Sequence, residues 1–240
     1  MARLARAGAR RLNSTMAEPL VIALLGAEST GKTTLAQALA ARIADETGLA
    51  TTWVPEWLRE WCEREGRTPR ADEQAAIARV QHERIAAART GHAVVIADTT
   101  ALATAAYSRY LFGDRALELL AVTLHREVAF TLLADTDLPW VADRHLRDGA
   151  HVRAPVDAIL RELLIAHRLP WAPVSGHGPD RLERALDAVA PLLRERPAPR
   201  RGLFTRLAQR DADAPDWPWV CELCDVPECE HATRRTARKP

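Results

Sequence analysis

The stretch LVIALLGAESTGKTT, Leu20 to Thr34, joins an uninterrupted apolar run to a glycine-containing turn that ends in Lys32 and Thr33. Its first part, Leu20 to Leu25, has the character of a strand buried on both faces of a parallel sheet. Lys32 to Thr47 is rich in Ala and Leu and closed by Gly48, which predicts a helix. Between them, Gly26-Ala27-Glu28-Ser29-Thr30-Gly31-Lys32-Thr33 matches GxxxxGK[ST] at every required position. Strand, turn and helix in that order are the context in which this spacing binds phosphate. Phosphate oxygens need several donors converging in a small volume. The glycines let successive backbone N–H groups of Gly26, Ala27, Glu28, Ser29, Thr30 and Gly31 turn inward, and the helix N-terminus adds a partial positive charge. Lys32 supplies a full charge to the β- and γ-phosphates, and the Thr33 hydroxyl is the expected Mg²⁺ ligand.

Only two of the 33 basic residues are lysines, Lys32 and Lys239. Arginine is the default cation of this chain, so a lysine in the loop is a chemical choice. The same count leaves no lysine for the [NT]KxD segment with which small GTPases read guanine, which makes ATP the expected nucleotide.

Outward from the loop, strands and helices alternate to about Arg194, the pattern of a parallel sheet with crossover helices. Further strands are expected at Thr51 to Val54, Ala93 to Ala97, Val128 to Leu133 and Trp171 to Val174. Helices are expected at Glu56 to Glu65, Ala71 to Arg89, Ala101 to Tyr110, Pro155 to Leu169 and Pro179 to Leu193. The fold class is therefore α/β, a P-loop three-layer sandwich with a central parallel sheet of about five strands. Residues 18–194 form that domain, residues 195–202 a stiff Pro- and Arg-rich linker, and residues 203–240 a separate tail. Residues 1–17 carry four arginines and no acid; they read as a disordered extension ahead of a start at Met16, with a transit-like or basic arm as the alternative.

The 240 residues, 48% of them hydrophobic and 27% charged, exclude a disordered or fibrous chain. A net charge of +1 gives no broad positive field for polyanion binding. Four cysteines are too few for a disulfide framework, and no apolar run reaches the 18 residues of a membrane span. A cytosolic protein acting on a small molecule, with no membrane partner, is expected; oligomeric state is not legible.

Ligands of open α/β sheets bind beyond the carboxyl ends of the strands, so the acids there carry the interest. Asp98 follows AVVIA; it would hold Mg²⁺ or substrate, or else cap the helix behind it. Glu56 follows Pro55 and would accept a proton from an attacking hydroxyl, or else merely favour the first turn of its helix. Trp53, Trp57 and Trp61 recur every four residues, a spacing typical of core; stacking of Trp57 on an aromatic substrate ring is the minority option. Asp135 to Ala154 lacks periodicity and carries Arg144, His145, Arg147 and Arg153. This is expected to be a functional loop whose arginines, Arg147 and Arg153 foremost, neutralise phosphate charge. Ser175-Gly176-His177-Gly178 reads as an adenine-facing turn or a plain one, and the histidines receive no chemistry.

GAESTGKTTLA, PEWLREW, IADTTALATAAYSRYLFG and DLPWVADRHLRDG, in that order, resemble the ribosylnicotinamide kinase domain of the NAD-biosynthesis regulator family and its relatives among P-loop nucleoside and nucleotide kinases. The resemblance runs from about Leu20 to Arg194. It implies Gly31, Lys32, Thr33 and Thr34 on the phosphates and metal, Glu56 and Arg59 near the nucleoside, Asp98 at the metal or substrate, and Arg147 in a lid. The family often shows Asp-Gly after its lid tryptophan, whereas Asp143 is followed here by Arg144.

The tail holds Cys221, Cys224, Cys229 and His231 in the spacing C-x2-C-x4-C-x-H. Thiolate and imidazole sets of this kind suit tetrahedral Zn²⁺; free thiols or a disulfide are the alternatives. Arg234, Arg235, Arg238 and Lys239 after it would permit a nucleic-acid contact or stay solvated. The expected function is Mg²⁺- and ATP-dependent phosphorylation of a small molecule, foremost the 5′-hydroxyl of a nucleoside such as nicotinamide riboside. The alternative is a nucleotide-binding regulatory or adaptor protein whose zinc tail contacts nucleic acid or a protein.

Overall fold

The computed structural model describes residues 18–141 and 149–196. Arg144, His145, Arg147, the zinc candidates Cys221, Cys224, Cys229 and His231, the 1–17 extension and the linker beyond Arg196 lie outside the described residues.

β1 (Leu20–Leu25) leads through the phosphate loop into α1 (Lys32–Thr47). β2 (Thr51–Val54), α2 (Trp57–Glu65) and α3 (Gln74–Arg89) follow, with a short 3₁₀ turn at Ala71–Glu73. Then come β3 (Val94–Asp98), α4 (Ala101–Phe112), α5 (Glu118–His125) and β4 (Phe130–Ala134). α6 (Arg153–Ala166), β5 (Trp171–Val174) and α7 (Gly178–Arg194) complete the domain. The five strands form one parallel sheet in the order β2-β3-β1-β4-β5.

β1 lies at the centre and is buried along its whole length, which is why its sequence shows no polar alternation. Fully burying each of Leu24, Leu25 and Ile96 contributes ~1.5–3 kcal/mol. On one side of the sheet α1 packs with α7; elsewhere α4 gathers α3, α5 and α6 around it. Val21, Ala23, Val95 and Ala97 share a cluster with Ile85 of α3, while Leu25 and Leu133 join the Ala-rich face of α4. Small residues there let α4 lie close to its neighbours.

α1 starts and stops at glycines in the left-handed region, Gly31 at φ 72° and Gly48 at φ 69°. The Gly48 N–H closes the last turn on the Ala44 carbonyl. Among the departures from the sequence reading, three have a local cause. α5 has no counterpart there, because its apolar run Leu119 to Leu124 lacks a helical period. β4 begins at Phe130 because the Val128 N–H is spent closing the turn on the His125 carbonyl. α6 begins at Arg153, placing Pro155 in its first turn, where a missing N–H leaves nothing unpaired.

Candidate functional site

The parallel register sets Leu24 of β1 beside Asp98 of β3, two residues before Gly26. The phosphate loop and the acid therefore emerge from neighbouring strands at the same height. Gly26 takes φ 145°, with the Ala134 carbonyl 2.8 Å from where a Cβ would sit, so only glycine allows the loop to leave β1 this close to β4. Ser29 is also in the left-handed region, at φ 56°. Thr30 donates to the Ala27 carbonyl at 2.8 Å and Lys32 Nζ to the same carbonyl at 2.7 Å, which draws both ends of the loop together.

Thr33 Oγ1 donates to Asp98 Oδ2 at 2.5 Å. The other oxygen, Asp98 Oδ1, is buried without a hydrogen-bond partner. Burial pushes this carboxyl above its ordinary value, against the Thr33 hydrogen bond and the charges of Lys32 and Arg59, which pull it down. A leftover carboxylate oxygen beside a hydroxyl and a phosphate loop fits a hard, oxygen-seeking cation. No cluster of three or more His, Cys, Asp or Glu that could hold a metal ion exists among the described residues. The helix-capping role is taken by Thr100 instead, whose side chain accepts from the Leu102 N–H.

Beyond the loop opens a cleft of ≈ 560 Å³. Glu28 to Thr34 of the phosphate loop line it together with Glu56 and Arg59. Leu58 and Cys62 of α2 and Tyr107, Leu111 and Phe112 of α4 supply an apolar wall. That wall was not anticipated from the sequence, although Tyr107 and Phe112 stand within the quoted IADTTALATAAYSRYLFG segment. Burial raises the Cys62 thiol to about 11, so it serves as a small apolar group.

Trp57 takes the core alternative and not the stacking one. It is buried with Trp61, Cys62 and Ile77, and the Arg84 guanidinium lies 4.1 Å over its ring. The helical period is the reason: it turns residues 57 and 61 inward and 58, 59 and 62 toward the cleft. Arg153 is likewise placed differently from its expected phosphate contact. It is buried at the start of α6 and donates to the Thr136 and Leu138 carbonyls, both at 2.8 Å. It braces the segment after β4.

That segment is fastened to the phosphate loop. Ser29 Oγ accepts from the Val141 N–H at 2.8 Å and donates to the Val141 carbonyl at 3.2 Å, and Leu138 sits against Gly31. Buried Arg181 donates to the Thr30 carbonyl at 3.0 Å and to Asp137 at 2.8 Å. Desolvation pushes the Asp137 carboxyl up, but the Gly176 N–H and Arg181 outweigh it and hold the group below its ordinary value. Gly176 thus serves a structural turn, with Arg184 bonded to Ser175 beside it.

Two further buried polar residues to which the sequence reading gave no role tie separate elements together. Gln81 of α3 bonds the first turn of α2 and the end of β3. His125, closing α5, bonds Thr100 and Thr131, each at 2.8 Å. The signal for Gln81 was its place on the apolar stripe, four residues from both Ile77 and Ile85.

A family model described as "AAA domain" matches residues 21–181. Among curated proteins, none matches the chain. The chain is similar to the crystal structure of NadR protein in complex with NR at 21% identity and a TM-score of 0.60, over 75% of this chain and 53% of that one. A second NadR structure, in complex with NAD and AMP-PNP, gives 22% identity and a TM-score of 0.58, over 75% and 51%. Thymidylate kinase from Ehrlichia chaffeensis gives 16% identity and a TM-score of 0.50, over 73% of this chain and 99% of that one. The chain thus spans about half the length of the NadR chains it matches. These likenesses show a P-loop kinase-like α/β fold. No helix among the described residues is long and apolar enough to cross a membrane.

Proposed function

The chain belongs to the AAA domain family, and from that premise we propose that it transfers the γ-phosphoryl group of ATP to a small-molecule hydroxyl, foremost the 5′-hydroxyl of a nucleoside such as nicotinamide riboside. The observation that carries this reading is one cleft lined by the phosphate loop, by Glu56 and Arg59, and by an apolar wall from α2 and α4. A hydrolase needs no such acceptor chamber. The likeness to NadR bound to NR supports a nucleoside as acceptor, and the wall suits a planar base.

In this reading the loop N–H groups and Lys32 hold the β- and γ-phosphates. Thr33 and Asp98 Oδ1 would hold magnesium, which supplies charge neutralisation on the transferring oxygens. Glu56 takes the proton of the acceptor hydroxyl as its oxygen bonds the γ-phosphorus. The bond to the β–γ bridging oxygen breaks, and ADP departs with that electron pair. Arg59 orients the acceptor, and Arg147, which the family resemblance assigns to a lid, is the loop arginine expected to neutralise phosphate charge. Zinc binding by Cys221, Cys224, Cys229 and His231 is a separate proposal resting on their spacing alone.

Purified protein incubated with ATP, Mg²⁺ and a nucleoside panel, with Lys32→Ala as control, tests the reading. A phosphorylated nucleoside formed by the wild type and not by the control is expected. ATP turnover indifferent to every acceptor, together with RNA or DNA binding lost on deleting residues 203–240, would favour the adaptor reading instead.

A further inference from the structure

We propose that Gln81 is a positioning residue that fixes the distance between the turn carrying Glu56 and the metal-binding acid, acting through backbone atoms of both. Its side chain is 2% exposed and does not line the cleft. Its Oε1 accepts from the Trp57 N–H at 2.7 Å, while its Nε2 faces the carbonyls of Thr99 at 3.3 Å and Asp98 at 3.4 Å. The orientation of the amide follows from chemistry: Trp57 N–H can only donate and the two carbonyls can only accept.

One end of this strut meets a helix N–H that its own helix cannot satisfy, the other two carbonyls at the end of β3. Trp57 opens α2, and its N–H is among those the helix cannot satisfy internally; Glu56 provides no side-chain cap. Gln81 therefore caps α2 from a different helix, and the residue immediately before the capped position is Glu56. At the other end Thr99 takes φ 68°, a region unfavourable for a β-branched residue that persists only where the surroundings impose it. Gln81 holds its carbonyl on one side, and the Thr99 N–H donates to Leu24 on the other. One amide thus ties the base-bearing turn after β2 to the acid-bearing end of β3. Only a group with a donor and an acceptor on one planar unit does both.

This inference rests on the kinase reading. Its test compares Gln81→Met, which keeps length and removes both bonds, with Gln81→Glu, which retains the acceptor for Trp57 and lacks the amide donor. Steady-state kinetics with the nucleoside that wild-type protein phosphorylates are combined with amide exchange at Trp57. For Gln81→Met a fall of about 10- to 100-fold in kcat/KM for the acceptor is expected, with KM for ATP within about twofold of wild type and Trp57 exchange accelerated. Gln81→Glu should protect the Trp57 amide again and recover the acceptor KM more than kcat. Gln81→Met with wild-type acceptor kinetics overturns the positioning role and leaves the kinase reading intact. Equal losses in the ATP and acceptor constants of both variants overturn it too, since general loosening would do that. Wild-type protein that phosphorylates no acceptor overturns the kinase reading and this role with it.

Discussion

Thr33 and Asp98, 65 residues apart in the chain, are joined by a 2.5 Å hydrogen bond in which the hydroxyl donates and the carboxylate is buried. The strand register makes this pairing inevitable, since Asp98 lies beside Leu24 and the loop from β1 turns back over it. The remaining acid oxygen has no partner. The protein holds a desolvated carboxylate that its own atoms do not satisfy, an arrangement better suited to binding than to stability.

Asp98→Asn should separate these two properties. Because burial raises the carboxyl above its unfolded value, ionisation works against folding: stability is greatest below the unfolded pKa and falls as pH rises toward the folded one. The amide removes that loss, so the melting temperature of nucleotide-free protein at pH 7 should hold or rise. Turnover should fall at least ~100-fold, with magnesium no longer tightening nucleotide binding. Calorimetry with and without Mg²⁺ checks both.

Glu56→Gln should lower kcat by about 10²–10⁴-fold, the usual worth of a positioned general base, while ATP affinity measured by titration stays near wild type. Glu56 lies outside the phosphate loop, after β2, so the loop's grip on nucleotide is expected to survive its loss. Unchanged kcat would remove Glu56 as the base.

His125 sets an acid limit on the fold. Burial lowers its pKa from 6.5 to about 4, and its two nitrogens are engaged by Thr100 and Thr131. A depressed histidine contributes fully above pH 6.5 and loses its contribution progressively as pH falls from 6.5 to about 4, where the unfolded chain takes up the proton first. The loss amounts to roughly 3 kcal/mol at most. Thermal melts across that window should show the decline, and His125→Leu should flatten it from a lower starting stability. An equal slope in the variant would assign the acid sensitivity to other groups.

Gly26→Ala should destabilise by about 1–3 kcal/mol and weaken nucleotide binding, because the added Cβ would meet the Ala134 backbone carbonyl at 2.8 Å. A backbone carbonyl cannot swing away as the end of a flexible side chain would. Denaturant unfolding and ATP titration measure the two effects, and wild-type values in both would disprove the close approach.

Much of the architecture was legible because its signals are local. Continuous apolar runs mark strands buried on both faces, and Gly31 and Gly48 punctuate α1 by conformations that few other residues adopt. The phosphate loop is contiguous, so its spacing states its chemistry. α5 was hidden because a run of apolar residues carries no period, and Arg153 looked like a phosphate ligand because guanidinium chemistry does not announce whether carbonyls or phosphates will surround it.

The order of residues alone determined that this chain builds a parallel sheet with a phosphate-binding turn after its first strand, since backbone propensity and burial are written in short segments. Which groups face one another was decided by the tertiary structure: Trp57 inward and Leu58 toward the cleft, Asp98 under Thr33, Gln81 between two strand ends. Those relations depend on parallel register and helix rotation, which arise only when distant segments pack, and one step of either would exchange the buried face for the reactive one.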